Sequence, residues 1–121
     1  MIIRLCYFTK QGKELAESLM KKWEEPIWQV RGGETSLSLW TQECFQKRLP
    51  ILFIGACGIA VRAIASYVGD KLTDSPVLVM DEKGKCVIPI LSGHMGGANR
   101  LAKRLQDILG AEAALTTATD V

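Results

Sequence analysis

The sequence is poor in metal ligands. It has one histidine, His94, and four cysteines, Cys6, Cys44, Cys57 and Cys86, with no C-x-x-C pair among them. That excludes the common zinc and iron–sulfur spacings and predicts no bound metal. Thiols spaced so widely read as reduced, as in a cytoplasm. Long hydrophobic runs are missing too. Arg4, Lys10 and Lys13 interrupt the only early apolar stretch before it reaches membrane length, so neither a signal peptide nor a membrane partner is expected, and a cytoplasmic location is. Charge of one sign is also absent: 15 basic against 13 acidic residues give a net +2, which offers nucleic acid no footprint.

What is present fits one α/β domain over residues 1–121. The chain is 48% hydrophobic and 23% charged, and its 121 residues suffice to bury a core without disulfides. Ile2 to Phe8 reads as a buried strand, and Thr9-Lys10-Gln11-Gly12 as a polar loop. In the helix that follows, Leu15, Ala16, Leu19, Met20 and Trp23 share a face. A short strand is expected at Pro26 to Val30, then a helix capped by Thr35 or Ser36 and running to about Gln46. Ile51 to Ile54 is the next strand. Its helix carries Ile59, Ala60, Ala63, Ile64, Tyr67 and Val68 on one face, with Gly69 as the cap.

The segment VLVMDEKGKCVIPIL places two apolar runs around a Lys-Gly turn signal and predicts a hairpin. That hairpin either makes one strand of an otherwise parallel sheet antiparallel or projects from the sheet. Asp81 and Glu82 read there as solvated turn residues. A last helix, from SGHMGGANR to Gly110, precedes a short strand at Ala113 to Thr116. The pattern predicts a three-layer α/β sandwich with a mainly parallel sheet of about five strands. Trp23, Trp28 and Trp40 are expected in the core. No internal repeat, low-complexity tract or linker appears. The chain stops just past an expected strand, which reads as a fragment of a longer protein.

Three strand-to-helix joints carry glycine: Thr9 to Gly12, Gly55 to Gly58 and Ser92 to Gly97. If the strands are parallel, all three open onto the carboxyl edge, where α/β sheets bind ligands. Gly55, Gly58, Gly93, Gly96 and Gly97 would let backbone approach an anion, with Arg62, Thr9, Ser92 and Asn99 beside it. Taken singly, each joint is explained as well by turn geometry; the three together favour a site. G-A-C-G lacks the P-loop lysine, and S-G-H-M-G-G misses both nucleotide spacings, so a nucleotide-binding α/β domain is the weaker alternative. His94, at a helix start among glycines, is the candidate base. Cys57 is the weaker candidate: a helix N-terminus favours a thiolate, but a small residue filling a tight elbow is the better explanation. Asn99 and Arg100 are equally explained as a solvated helix face.

Three blocks carry a resemblance: FIGACGIAVRAIA, KLTDSPVLVMDEKGKCVIPILSGHMGGANRLA and TTATDV. Together they resemble the N-terminal region of the CbiG family of cobalamin-biosynthesis proteins, most densely from Phe53 to Val121, and the opening YFTKQGKELA is compatible with that family's start. The resemblance implies a step of the anaerobic corrin pathway, cobalt-precorrin-5A hydrolase activity. In that reaction the ring A δ-lactone opens and a two-carbon fragment leaves as acetaldehyde, giving cobalt-precorrin-5B. Cobalt then belongs to the substrate, and no cofactor is implied.

The implied partners are cobalt-precorrin-5A and a linker and C-terminal domain absent from this chain, with other corrin-pathway enzymes or a second copy as further classes. Within that frame His94 would activate the water, Arg62 would hold a substrate carboxylate, and amides near Cys57-Gly58 or Gly96-Gly97 would face the oxyanion. The alternative is a non-catalytic module that binds the tetrapyrrole or a partner. Ser66 stands where the resemblance leads one to expect proline.

Overall fold

A computed structural model describes residues 1–94 and 96–116. Successive side chains of a strand point to opposite faces, and the strands ILFI and VLVM are apolar at every position, so both faces of the sheet must be covered. The sheet has six strands in the order β2-β1-β3-β4-β5-β6, one more than expected. β1 (Ile2–Tyr7), β2 (Ile27–Val30), β3 (Ile51–Ile54) and β4 (Val77–Met80) are mutually parallel. β5 (Cys86–Leu91) runs antiparallel to β4, and β6 (Glu112–Ala113) runs parallel to β5.

Two helical layers complete the sandwich. Ile3, Leu5, Leu52, Ile54, Leu78 and Met80 pack on α1 (Lys10–Lys22) and α4 (Ala98–Leu109). Their neighbours Cys6, Ile51, Phe53, Val77 and Val79 pack on α2 (Leu37–Gln46) and α3 (Cys57–Ile64). Phe53, fully buried, meets Trp40 edge-on at 6.2 Å between ring centroids. Trp23 is buried as well, whereas Trp28 is half-buried, set edge-on to Trp23 with its Nε1 donating to the Trp23 carbonyl at 2.8 Å.

Local chemistry moves some boundaries. Thr9 Oγ1 accepts from Gly12 N at 3.1 Å, so Thr9 is an N-cap and the expected polar loop is the first turn of α1. Ser36 caps α2 through Leu39 N. α3 stops at Ile64, short of the expected Gly69. There the Tyr67 and Val68 amides both donate to the Ile64 carbonyl, and the Asp74 carboxylate takes the Gly69 and Asp70 amides. β6 is two residues long and begins one residue earlier than expected, because Glu112 N and Ala114 N reach the Lys85 and Val87 carbonyls. Thr117 to Val121, at the end of the third matching block, lie outside the described residues.

One side chain adds three bonds to the backbone turn of the β4–β5 hairpin. Asp81 Oδ1 accepts from Lys85 N at 2.8 Å and Cys86 N at 2.7 Å, while Oδ2 accepts from Lys83 N at 3.2 Å. Gly84 completes the turn at φ +68, a conformation that suits glycine, and a Cβ there would stand 3.1 Å from Leu15 of α1. Asp81 is thus the hub of the turn and not merely a solvated residue in it. Asp81→Ala should lower unfolding stability in urea by about 1–3 kcal/mol. Glu82→Ala, in the same turn but without such bonds, should cost under about 0.5 kcal/mol. Equal losses in the two variants would remove the locking role.

Candidate functional site

The direction of β5 decides where the glycine joints lie. The Thr9 and Gly55–Gly58 joints follow parallel strands and sit at the carboxyl edge, as expected. The joint that begins at Ser92 and ends at Gly96 and Gly97 follows an antiparallel strand and opens at the opposite, amino edge, beside Pro50 and Pro76. The expectation of one shared edge is therefore corrected: the six residues of β1 hold the two groups about 20 Å apart. His94, Ser92, Gly93, Gly96, Gly97 and Asn99 come together. Thr9, Gly55, Cys57, Gly58 and Arg62 lie at the far edge.

At the carboxyl edge much of the glycine pattern is used for packing. A Cβ on Gly55 would stand 3.1 Å from the Phe8 ring, so the missing side chain makes room for Phe8. α3 begins without a side-chain cap, with Cys57 and Gly58 exposed. Arg62 reaches back over that turn, its Nη1 3.7 Å from where a Gly58 Cβ would be. It lines a shallow hollow of about 380 Å³ with Leu37, Ser38, Ile59 and Ala63, with no histidine or carboxylate among them.

The amino edge holds a larger cleft of about 730 Å³. Trp23, Pro50, Pro76 and Leu101 supply apolar surface, and Arg48, Arg100, Lys103 and Arg104 bring positive charge. Arg104 is partly committed, paired with Glu25 at 3.2 Å and set 5.6 Å over the Trp23 ring. Among the acids of the cleft, Asp74 is occupied by the Gly69 and Asp70 amides. Asp107 leaves one carboxylate in the lining against Arg48, Arg100 and Lys103. The cleft therefore keeps a positive excess and suits an apolar body with anionic groups at its margin.

Adjoining it, Gly93, His94, Gly97, Asn99, Arg100 and Lys103 form a smaller pocket of about 180 Å³. Its loop is tightly built. A Cβ on Gly93 would lie 2.7 Å from Asn99 Oδ1, and one on Gly96 would lie 2.5 Å from Ser92 Cβ. Ser92 sits at φ 55, and its hydroxyl donates to the Asp74 carbonyl at 3.1 Å. Gly97 is the left-handed N-cap of α4, at φ 94, with no side-chain cap. The Ala98 and Asn99 amides donate to the Ser92 and Gly93 carbonyls. Those two amides are spent within the loop, so side chains must supply much of the pocket's polarity. Asn99, only 7% exposed, has its Nδ2 buried and without a hydrogen-bond partner among the described residues.

Sequence reading named Asn99 and Arg100 but missed Arg48, Lys103, Arg104 and Trp23. The basic run Asn-Arg-Leu-Ala-Lys-Arg of α4 was the available signal, with Lys103 one helical turn after Asn99. Arg48 and Trp23 arrive from distant segments and left none. Among the described residues no cluster of three or more potential metal ligands forms, and no helix is long and apolar enough to cross a membrane.

A family model described as cobalamin synthesis G N-terminal matches residues 39–120. The chain belongs to the CbiG N-terminal family. It is 51% identical over 80 residues to the cobalt-precorrin-5A hydrolase of Salmonella typhimurium, covering 66% of this chain and 23% of that protein. It is 34% identical over 127 residues to the cobalt-precorrin-5A hydrolase of Priestia megaterium, covering 93% and 34%. The chain thus spans about a quarter to a third of the length of these CbiG relatives. A crystal structure of a cobalamin biosynthesis protein G homologue from Sulfolobus solfataricus superposes with a TM-score of 0.73 at 23% identity, over 95% of this chain and 36% of that one. This likeness establishes the fold.

The thiols of this CbiG domain differ in availability. Burial pushes the Cys6 thiol up against the pull of Arg31, and the Cys44 thiol up to about 11 against that of Arg4. Cys57 is exposed. At pH 8, a thiol-reactive disulfide should label Cys57 on mixing and Cys6 and Cys44 only after unfolding. A raised thiol contributes stability that is complete below its unfolded value near 9 and is lost as pH climbs toward 11. Cys44→Val should therefore flatten the alkaline decline in urea midpoint. Labelling of Cys44 as fast as Cys57 would contradict its burial.

Proposed function

We propose that this chain is the N-terminal part of a cobalt-precorrin-5A hydrolase and holds the tetrapyrrole in the amino-edge cleft. The observation that carries the reading is the 51% identity to a protein named cobalt-precorrin-5A hydrolase. The cleft agrees with it physically. Its volume of about 730 Å³ falls within the usual range of ligand sites. Apolar surface beside Trp23 and Leu101 would meet the macrocycle, and Arg48, Arg100 and Lys103 would meet acetate and propionate groups.

In this reading His94 takes a proton from a water that adds to the carbonyl carbon of the ring A δ-lactone. The acyl C–O bond then breaks to a carboxylic acid and an alkoxide, and the alkoxide collapses to the carbonyl of acetaldehyde as the C–C bond to the macrocycle breaks. The electron pair stays on the ring carbon, which takes the proton from the imidazole, giving cobalt-precorrin-5B. Cobalt stays with the substrate. Arg62, about 20 Å away at the other edge, would hold a carboxylate only of a group that extends around the domain.

One observation favours the second reading, a binding module completed by other domains. His94 is exposed and makes no hydrogen bond to an orienting carboxylate among the described residues, whereas a general base is usually held by a third group. The test is acetaldehyde release from cobalt-precorrin-5A by a full-length relative carrying residues 1–116 of this chain in place of its own. His94→Ala should lower kcat about 10²-fold or more with the fold intact. Full turnover in that variant would leave the binding-module reading standing; failure of the parent chimera to bind the substrate would overturn both.

A further inference from the structure

Three buried side-chain donors lack partners among the described residues: Arg4 Nε, Trp23 Nε1 and Asn99 Nδ2. The first belongs to a guanidinium already held by Glu43 at 3.1 Å. The second is one edge of an apolar ring packed in the core. The third has no such explanation. A buried carboxamide donor left unpaired costs stability, and a leucine at this position would avoid that cost. Asn99 instead lines the small pocket with its nitrogen unused, behind a glycine whose missing Cβ leaves room for the carboxamide. The start of α4, its Ala98 and Asn99 amides already bonded to the loop, lies beside it, and Arg100 and Lys103 flank it without ion-pair partners among the described residues.

We propose that this pocket is a carboxylate subsite. The Asn99 side chain turns on binding so that Nδ2, buried beside the pocket in the free domain, donates to one carboxylate oxygen of the ligand, and Arg100 and Lys103 balance its charge. A pocket of about 180 Å³ accepts an acetate or propionate group but not the whole macrocycle. If the tetrapyrrole reading above is right, on which the ligand's identity rests, the subsite anchors one peripheral carboxylate. The macrocycle then lies in the adjoining cleft, which shares Gly97, Arg100 and Lys103 with the pocket.

The test begins with propionate alone, titrated at constant ionic strength into the ¹⁵N-labelled 121-residue chain. The Asn99 carboxamide signals, assigned by their loss in Asn99→Leu, should shift saturably and downfield. Lys103→Gln, a surface change that leaves the fold alone, should weaken the titration about threefold. No saturable shift, or the same shift with propionamide, would overturn the subsite. Asn99→Leu should melt no lower than the parent, since it removes an unsatisfied donor. It should also bind cobyrinic acid, a corrinoid with free carboxylates, about tenfold more weakly. Equal cobyrinic acid binding by parent and Asn99→Leu would sink the subsite and spare the tetrapyrrole reading. A propionate response without cobyrinic acid binding would do the reverse.

Discussion

The carboxylate of Asp81 is the point on which the arrangement turns. By gathering the Lys83, Lys85 and Cys86 amides, it reverses the chain after four parallel strands. That reversal sends β5 back along β4 and delivers Ser92, Gly96 and Gly97 to the amino edge. A helical crossover in its place would have returned β5 parallel, with the loop at the carboxyl edge. The same turn presses Gly84 against Leu15 of α1. The hairpin is thereby fixed to the layer that α4 also covers, and loop position and layer packing are set together.

Open α/β sheets bind ligands at the carboxyl edge, where strand order reverses. Here that reversal lies between β1 and β3, since β2 and β3 flank β1. Phe8 packs over Gly55 at this place, and the nearby Arg62 hollow is about half the volume of the amino-edge cleft. Glycine therefore has opposite uses at the two edges. At Gly55 its small size admits an aromatic ring. At Gly93 and Gly96 it lets the loop fold onto Asn99 and Ser92, spending two amides of α4 internally and leaving the Asn99 carboxamide to face the pocket.

Much of the fold was legible because its signals are local. ILFI and VLVM are apolar at every position, Ser36 caps its helix, Lys-Gly marks the hairpin, and Gly110 stops α4. The end of α3 was not, since Asp74 holds Gly69 and Asp70 from outside the helical pattern. Periodicity carries no strand direction, but the Lys-Gly hairpin does: a β5 that doubles back along β4 ends at the amino edge, so only the expectation of parallel strands put all three glycine joints on one edge. His94 and Asn99 were legible as residues, but the orphaned amide nitrogen of Asn99 exists only once Gly93 has folded over it.

The two parts of the amino-edge site differ in their relation to the family. Every residue lining the small pocket lies within the span 39–120 matched by the family model. Trp23 and Glu25, which form part of the larger cleft and engage Arg104, lie before it. A subsite for one carboxylate, as proposed for the small pocket, needs only a short loop and the first turn of one helix, so a single continuous segment can carry it. Holding an apolar macrocycle, as proposed for the cleft, would need surface from several segments. With this chain covering 23% and 34% of two CbiG relatives, much of that surface is available from the remainder of such a protein. The small pocket is thus the part of the site that this domain can build from its own sequence, and the open cleft is the part that gains most from a further wall.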